Sequence, residues 1–301
     1  MRRTISVRLA LIPAVAAVFA FAAGVPPGIH AQAGARERTL FVSAVDSSGE
    51  PVNGLDPEDF VITEDGRRRE ILRVSRATEP MDIALLADNS AAASDAIGPL
   101  RSGLKDFVDA MAGDHQIALV ALADRPTILV NYTSNPMRLE EGINRLFAMN
   151  SSGMTLLDAL VEVSAGLEQR GATRAVIVPT ITTGTEFTNR YGLDVVEALQ
   201  QAGVALHALV IGVADYDTVP ARERGVVLDA GSRETGGQYV TLLTESGMRQ
   251  ALRKLARQLS AQYKIVYSRP ESLIPPEDTE VTSRRSDVSM RGTPARGQAG
   301  D

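Results

Sequence analysis

The stretch Met81-Asp82-Ile83-Ala84-Leu85-Leu86-Ala87-Asp88-Asn89-Ser90-Ala91-Ala92-Ala93-Ser94 decides the fold. Its first half is a nearly continuous apolar run, the pattern of a strand buried on both faces of a parallel sheet. Its second half places a carboxylate, then a hydroxyl two residues on, at the carboxyl end of that strand. Open α/β sheets hold ligands there, in the crevice where the chain order reverses. A dinucleotide fold needs glycines at this turn so that amides can approach a pyrophosphate, and none is present. The Gly-Lys-Ser/Thr of a phosphate-binding loop is missing as well. What stands at the turn is oxygen, a hard donor suited to Mg²⁺ or Ca²⁺ rather than to soft metals.

Downstream, Ile97, Leu100, Leu104, Phe107, Val108 and Met111 recur at spacings of three and four, which predicts a helix with one apolar stripe. Residues 117–122 and 127–132 read as strands. Their link, Ala123-Asp124-Arg125-Pro126, is too short for a parallel crossover and predicts an antiparallel edge. Helices are expected at 138–149, 156–169, 193–201, 226–234 and 245–260, and strands at 175–181, 204–211, 238–242 and 263–267. Alternating strands and helices predict an α/β, doubly wound, mostly parallel sheet with one antiparallel edge strand over residues 80–268. Upstream, residues 38–79 read as a small β-rich leader. Asp56-Pro57 opens a short helical turn there, and Glu64-Asp65-Gly66 is a hairpin signal. The tail, 269–301, carries only weak strand signals and is expected to form one further hairpin or to lack order.

Composition narrows the chemistry. The chain has 301 residues, 44% hydrophobic and 23% charged, as ordinary globular proteins have. The absence of Cys excludes disulfides, thiolate metal sites and cysteine nucleophiles. Three histidines (His30, His115 and His207) leave little for a histidine metal cluster. A net charge of −6 argues against a nucleic-acid partner. Arg2, Arg3 and Arg8, the apolar run 9–23 and Ala31-Gln32-Ala33 give residues 1–33 the form of a secretory signal peptide. Its apolar run of about 15 residues is short of the roughly 20 a membrane span needs. The segment is therefore expected to be cleaved, or kept as an N-terminal anchor, in a secreted, periplasmic or cell-envelope protein with no membrane span once the signal is removed.

Asp88 and Ser90 after the first buried strand, Thr155 opening a distant helix, and Thr183-Gly184 after a later strand resemble the metal-ion-dependent adhesion site of von Willebrand factor type A domains. The leader, with Gly54 to Phe60 and then Glu64-Asp65-Gly66, is similar to that of bacterial secreted members of the family. The family pattern is Asp-x-Ser-x-Ser, then Thr, then Asp-Gly. Asp88, Ser90 and Thr155 match it. Ala92 has lost the second hydroxyl, and Thr183 stands where the second carboxylate belongs. The resemblance therefore implies a degenerate site that holds Mg²⁺ or another divalent cation weakly or not at all. Glu186 could restore a charge through a water. Without a metal, Asp88 and Ser90 would satisfy amides of the next helix, and Thr155 would cap its own.

By the same resemblance the function is non-catalytic binding of a protein or cell-surface ligand, through a rim of Ser90, Ser152, Thr183, Glu186 and Asp215. A metal-independent scaffold in an envelope complex is one alternative, and a hydrolase with an unrecognised site is another. No Gly-x-Ser-x-Gly elbow is present. A Ser90–His207–Asp88 triad founders on His207, which sits inside a predicted strand.

Overall fold

Strand β4 (Met81–Ala87) is buried at every position. It pairs in parallel with β5 (Gln116–Ala121) on one side and β7 (Arg174–Thr182) on the other. Strand β8 (Val204–Ile211) extends the parallel run beyond β7, and β9 (Gln238–Leu242) extends it beyond β8. On the far side β6 (Thr127–Thr133) pairs antiparallel with β5, which gives the order β6-β5-β4-β7-β8-β9. The computed structural model describes residues 35–213, 216–270, 274, 276 and 278–295. The signal-like segment 1–33 and Asp215 lie outside the described residues.

Alternation along β4 builds two cores. Met81, Ile83, Leu85 and Ala87 pack with α1 (Ile97–Met111) and α7 (Met248–Ser260), while Ala84 and Leu86 pack with α3 (Leu156–Arg170) and α4 (Gly192–Gln201). The α1–α7 contact is tight because Gly103 has no side chain. A Cβ there would fall 2.8 Å from Leu252 Cδ1 and 3.2 Å from the Arg249 Cα. Helix α2 (Pro136–Asn144) ends five residues before the predicted end at 149, with Asn135 capping its start. Residues 145–149 instead run irregularly to the carboxyl edge of the sheet. Helix α5 (Val219–Val226) passes through a π-turn, Val227–Gly231, into the short α6 (Ser232–Glu234). Among the described residues, no helix is long and apolar enough to cross a membrane.

The expectation of one mostly parallel sheet with a small leader needs correcting. Half of the strands form a second, wholly antiparallel sheet in the order β11-β2-β3-β10-β1-β12. Its members are β1 (Ala35–Val45), β2 (Phe60–Glu64), β3 (Arg67–Arg76), β10 (Tyr263–Pro270), β11 (Thr279–Ser283) and β12 (Ser289–Pro294). Strand β10, read from sequence as the last strand of the α/β sheet, lies between β1 and β3. The distinction is physical. β4, β7 and β8 are buried throughout, whereas β10 alternates between buried and partly exposed positions, as a strand with one core face does.

The tail is two strands but not a hairpin, since β11 pairs with β2 and β12 with β1, at opposite ends of the sheet order. The sheet curls to bring those ends together. A Cβ on Gly292 of β12 would lie 2.9 Å from Val281 of β11 and 2.4 Å from Leu40 of β1. Phe60, Ile62, Leu40, Val42, Tyr263 and Ile265 fill the curl. The β2–β3 turn is as expected: Asp65 and Gly66 both have positive φ, 48° and 72°, as a type I′ turn requires.

Candidate functional site

Because β4 sends its successor β5 to one side and β7 lies on the other, the chain order reverses between β4 and β7. The crevice above that point is the expected ligand position. Asp88 ends β4 and Thr182 ends β7, and here the two are joined. Asp88 is 1% exposed. Its Oδ1 accepts from the Ser90 amide at 2.9 Å. Its Oδ2 accepts from the Thr182 amide at 2.9 Å and from the Thr182 hydroxyl at 2.5 Å. The Asp88 amide in turn donates to the Thr180 carbonyl. The carboxylate thus bridges the two strands at the reversal point, with both oxygens engaged.

Ser90 precedes a single 3₁₀ turn, Ala91–Ala93, and its buried hydroxyl has no hydrogen-bond partner. Gly184 presses against it. A Cβ at 184 would lie 2.7 Å from the Ala92 Cβ and 3.4 Å from Ser90 Oγ. Thr183 turns the other way, against Gly212, where a Cβ would sit 3.0 Å from Thr183 Oγ1. Thr155 does not cap α3, as the metal-free alternative supposed. Its hydroxyl donates instead to the Leu122 carbonyl at 2.9 Å, after β5. Asn89 ties the same region together. Its Oδ1 accepts from the Leu122 and Ala123 amides, and its Nδ2 donates to the Phe147 carbonyl. Ser152 contributes backbone to this junction, its carbonyl accepting from the Ala91 amide at 3.3 Å, while its hydroxyl donates to Met149.

Measured against a hard dication, this donor set does not fit. One carboxylate is present where the family pattern has two, and its oxygens already accept three hydrogen bonds. The Thr155 hydroxyl donates its proton to a carbonyl and keeps its lone pairs, and Ser90 Oγ is the one pattern hydroxyl without a partner, so the shortfall is one of charge and of oxygen count. Among the described residues, no three His, Asp or Glu side chains cluster in a way that could hold a metal.

Two charged groups that sequence reading missed or undervalued lie beside the crevice. Glu186 is 3% exposed, and neither carboxylate oxygen closes a hydrogen bond. Burial raises its pKa to about 8, against the smaller opposing pull of Arg224 and of the Leu156 and Leu157 amides that open α3. Arg224 projects from α5 and is 4% exposed, with Nη1 donating to the Gly184 carbonyl at 2.6 Å. Among the described residues it makes no ion pair within 4.0 Å. The link from α5 to Gly184 crosses 40 positions and left no trace in local sequence pattern. Only an arginine on an otherwise core-facing helix turn could have flagged it.

The Ser90–His207–Asp88 arrangement is not formed, since neither His207 ring nitrogen has a hydrogen-bond partner. His207 lies four positions before Ile211 at the carboxyl end of β8, about 13 Å down the strand at 3.3 Å per residue. Both its ring nitrogens are buried without partners, and burial lowers its pKa to about 3. His115 is half-buried and accepts from the Met81 amide at 3.3 Å. By contrast the loops and helix start on the carboxyl edge expose large apolar side chains. Phe147, Phe187, Tyr191, Leu193 and Tyr216 are each more than half exposed. Phe187 lies with its ring over Gly153, where a Cβ would be 2.3 Å from it.

Comparison with known proteins bears on the fold. Residues 83–184 match the family model of the von Willebrand factor type A domain. No curated protein sequence matches the chain. Solved structures that it is similar to include a von Willebrand factor type A protein from Catenulispora acidiphila, at 10% identity, covering 88% of this chain and 75% of that one, with a TM-score of 0.50. A second is the vWF domain of the type V pili tip protein Mfa5 from Porphyromonas gingivalis (12% identity, 61% and 96% coverage, TM-score 0.48). A third is proximal thread matrix protein 1 from the mussel byssus (18% identity, 66% and 49% coverage, TM-score 0.48). The chain spans about half the length of the mussel protein. At these identities the likeness is one of fold.

Proposed function

We propose that this von Willebrand factor type A domain, within a secreted or envelope protein, is a non-catalytic module that binds a protein or surface ligand without depending on a divalent cation. The observation that carries the reading is Asp88. A carboxylate that would anchor a cation instead spends both oxygens on the Ser90 amide and on Thr182. Ala92 and Thr183 remove two further oxygen donors from the pattern. A site so depleted has little charge with which to displace the waters of a hard dication.

Binding, rather than turnover, follows from what surrounds the crevice. A nucleophile needs a base within hydrogen-bond reach. Ser90 Oγ has no partner, and both ring nitrogens of His207, inside β8, are likewise buried without one. The exposed Phe147, Phe187 and Tyr216 on the surrounding loops are side chains of the kind that anchor protein interfaces. Ser90, Ser152, Thr183 and Glu186 would lie within or beneath that surface. A scaffold role in an envelope complex uses the same surface and differs only in permanence.

The test is capture of partners from native envelopes or culture medium by the purified protein in the presence of a chelator. Phe187→Ala and Tyr216→Ala are expected to lower the recovered partner about tenfold or more, as loss of an interface anchor does, with unchanged melting temperature. Full capture by both variants, with loss on substitution at the opposite edge of the sheet, would place the interface elsewhere.

A further inference from the structure

Beside Thr183 the loops enclose a narrow pocket walled by Arg224, Tyr216 and Tyr239 and backed by Val210 and Leu228. Arg224 is the feature that calls for explanation. Its guanidinium is almost wholly removed from water, closes a hydrogen bond to the Gly184 carbonyl, and has no carboxylate partner among the described residues. A buried cation without a counter-charge is costly, because the interior does not replace the water it has lost. Glu186, an acid on which Arg224 acts, is itself buried and held toward its neutral form by that burial. The pocket therefore carries net positive potential beside tyrosine and threonine side chains.

We infer that this pocket receives a carboxylate, presented as an acidic side chain of the bound partner, with Arg224 as its principal contact. A guanidinium offers a planar fork that matches a carboxylate in two parallel hydrogen bonds, and such charge-assisted pairs are about twice as strong as neutral ones. Thr183 and Tyr239 line the same walls. As it stands the pocket has room for no more than about one water molecule. Tyr216 is the side chain placed to open it. It is half-exposed and lies over Gly225, where a Cβ would fall 2.6 Å from its ring. The inference deepens the binding-module reading and rests on it only for the source of the carboxylate.

The experiment titrates the full-length protein with N-acetyl-aspartate amide, with its neutral N-acetyl-asparagine counterpart and with inorganic phosphate, following the backbone amide resonances of Thr183, Gly184 and Gly225. The aspartate compound is expected to give saturable shifts with a millimolar midpoint, and the asparagine compound to bind at least about tenfold more weakly. Arg224→Gln should lose the aspartate response, Arg224→Lys should keep part of it, and Tyr216→Ala should shift the midpoint to lower concentration. Should Arg224→Gln fail to fold, the aspartate–asparagine contrast and the Tyr216→Ala midpoint decide the matter. Equal response to both compounds, an unchanged midpoint in folded Arg224→Gln, or no saturable shift up to about 50 mM overturns the inference. Tighter binding of phosphate overturns the carboxylate assignment in favour of a phosphoryl group. A failed titration with partner capture still lost in Phe187→Ala would sink the pocket and spare the binding surface. A successful titration with capture untouched would do the reverse.

Discussion

Two carboxyls at the crevice show how neighbours decide what an acid does. Asp88 has three donors on its two oxygens and serves as a fixed strut between β4 and β7. Glu186 is as deeply buried, and the pull of Arg224 and of the Leu156 and Leu157 amides does not offset its desolvation, so its pKa rises from 4.5 to about 8. An acid whose folded pKa lies above its unfolded value stabilises the fold fully below the unfolded pKa and loses that contribution as pH rises through the folded one. Chemical denaturation from pH 5 to pH 8.5 should therefore show the wild-type losing a few kcal/mol relative to Glu186→Gln, with the gap opening upward in pH. Parallel pH profiles for the two proteins would mean that Glu186 is ionised and solvated. Asp88, Ser90 and Thr155 were legible because each sits beside a strand end or helix start that announces itself locally. Thr182 and Arg224 were not, because a hydroxyl and a guanidinium acquire their roles only when β7 is brought against β4 and α5 against the loop that follows β7.

Strand β8 carries the same lesson at the next scale. It is buried along its whole length, and His207 in its middle is held neutral, its pKa lowered from 6.5 to about 3 chiefly by burial and secondarily by Arg291. A base with a depressed folded pKa contributes stability that is present above its unfolded pKa and lost as pH falls toward the folded value. Replacing it by a side chain of similar size that cannot protonate, His207→Leu, should flatten the loss of stability between pH 7 and pH 4, measured by urea unfolding. An equally steep loss in that variant would assign acid sensitivity to other groups. Elements whose burial is uniform, β4, β7 and β8, could be read directly as apolar runs. Strand β10 could not be assigned to its sheet, since its short run Tyr263-Lys264-Ile265-Val266-Tyr267 carries no local mark of which strands flank it. Helix α2 was overextended because Phe147 and Met149 continue its apolar spacing while facing solvent on the site edge.

The two sheets meet where β12 crosses the turn before β9. Gly236 has φ 74°, and a Cβ there would lie 2.0 Å from the Gly292 carbonyl oxygen. The Thr293 hydroxyl donates to the Thr235 carbonyl, and Arg291 donates to Gln238. Both the left-handed backbone and the contact exclude a side chain, so Gly236→Ala should cost more than about 2 kcal/mol, read as a lowered denaturation midpoint. A neutral effect would show that the β12 contact is dispensable. The α/β class was visible in the alternation of strands and helices. That leader, β10 and tail together make a second six-stranded sheet was not, because its strands come from opposite ends of the sequence and nothing local records that pairing.

The claim on which the functional reading turns is that the Asp88 crevice is closed by Thr182 rather than by a cation. Thermal unfolding of the wild-type protein in about 5 mM Mg²⁺ against chelator tests it most directly. If the dissociation constant is about 10 mM or weaker, linkage allows a rise of no more than about 1 °C. A saturable rise of several degrees, abolished in Asp88→Ala, would contradict the account.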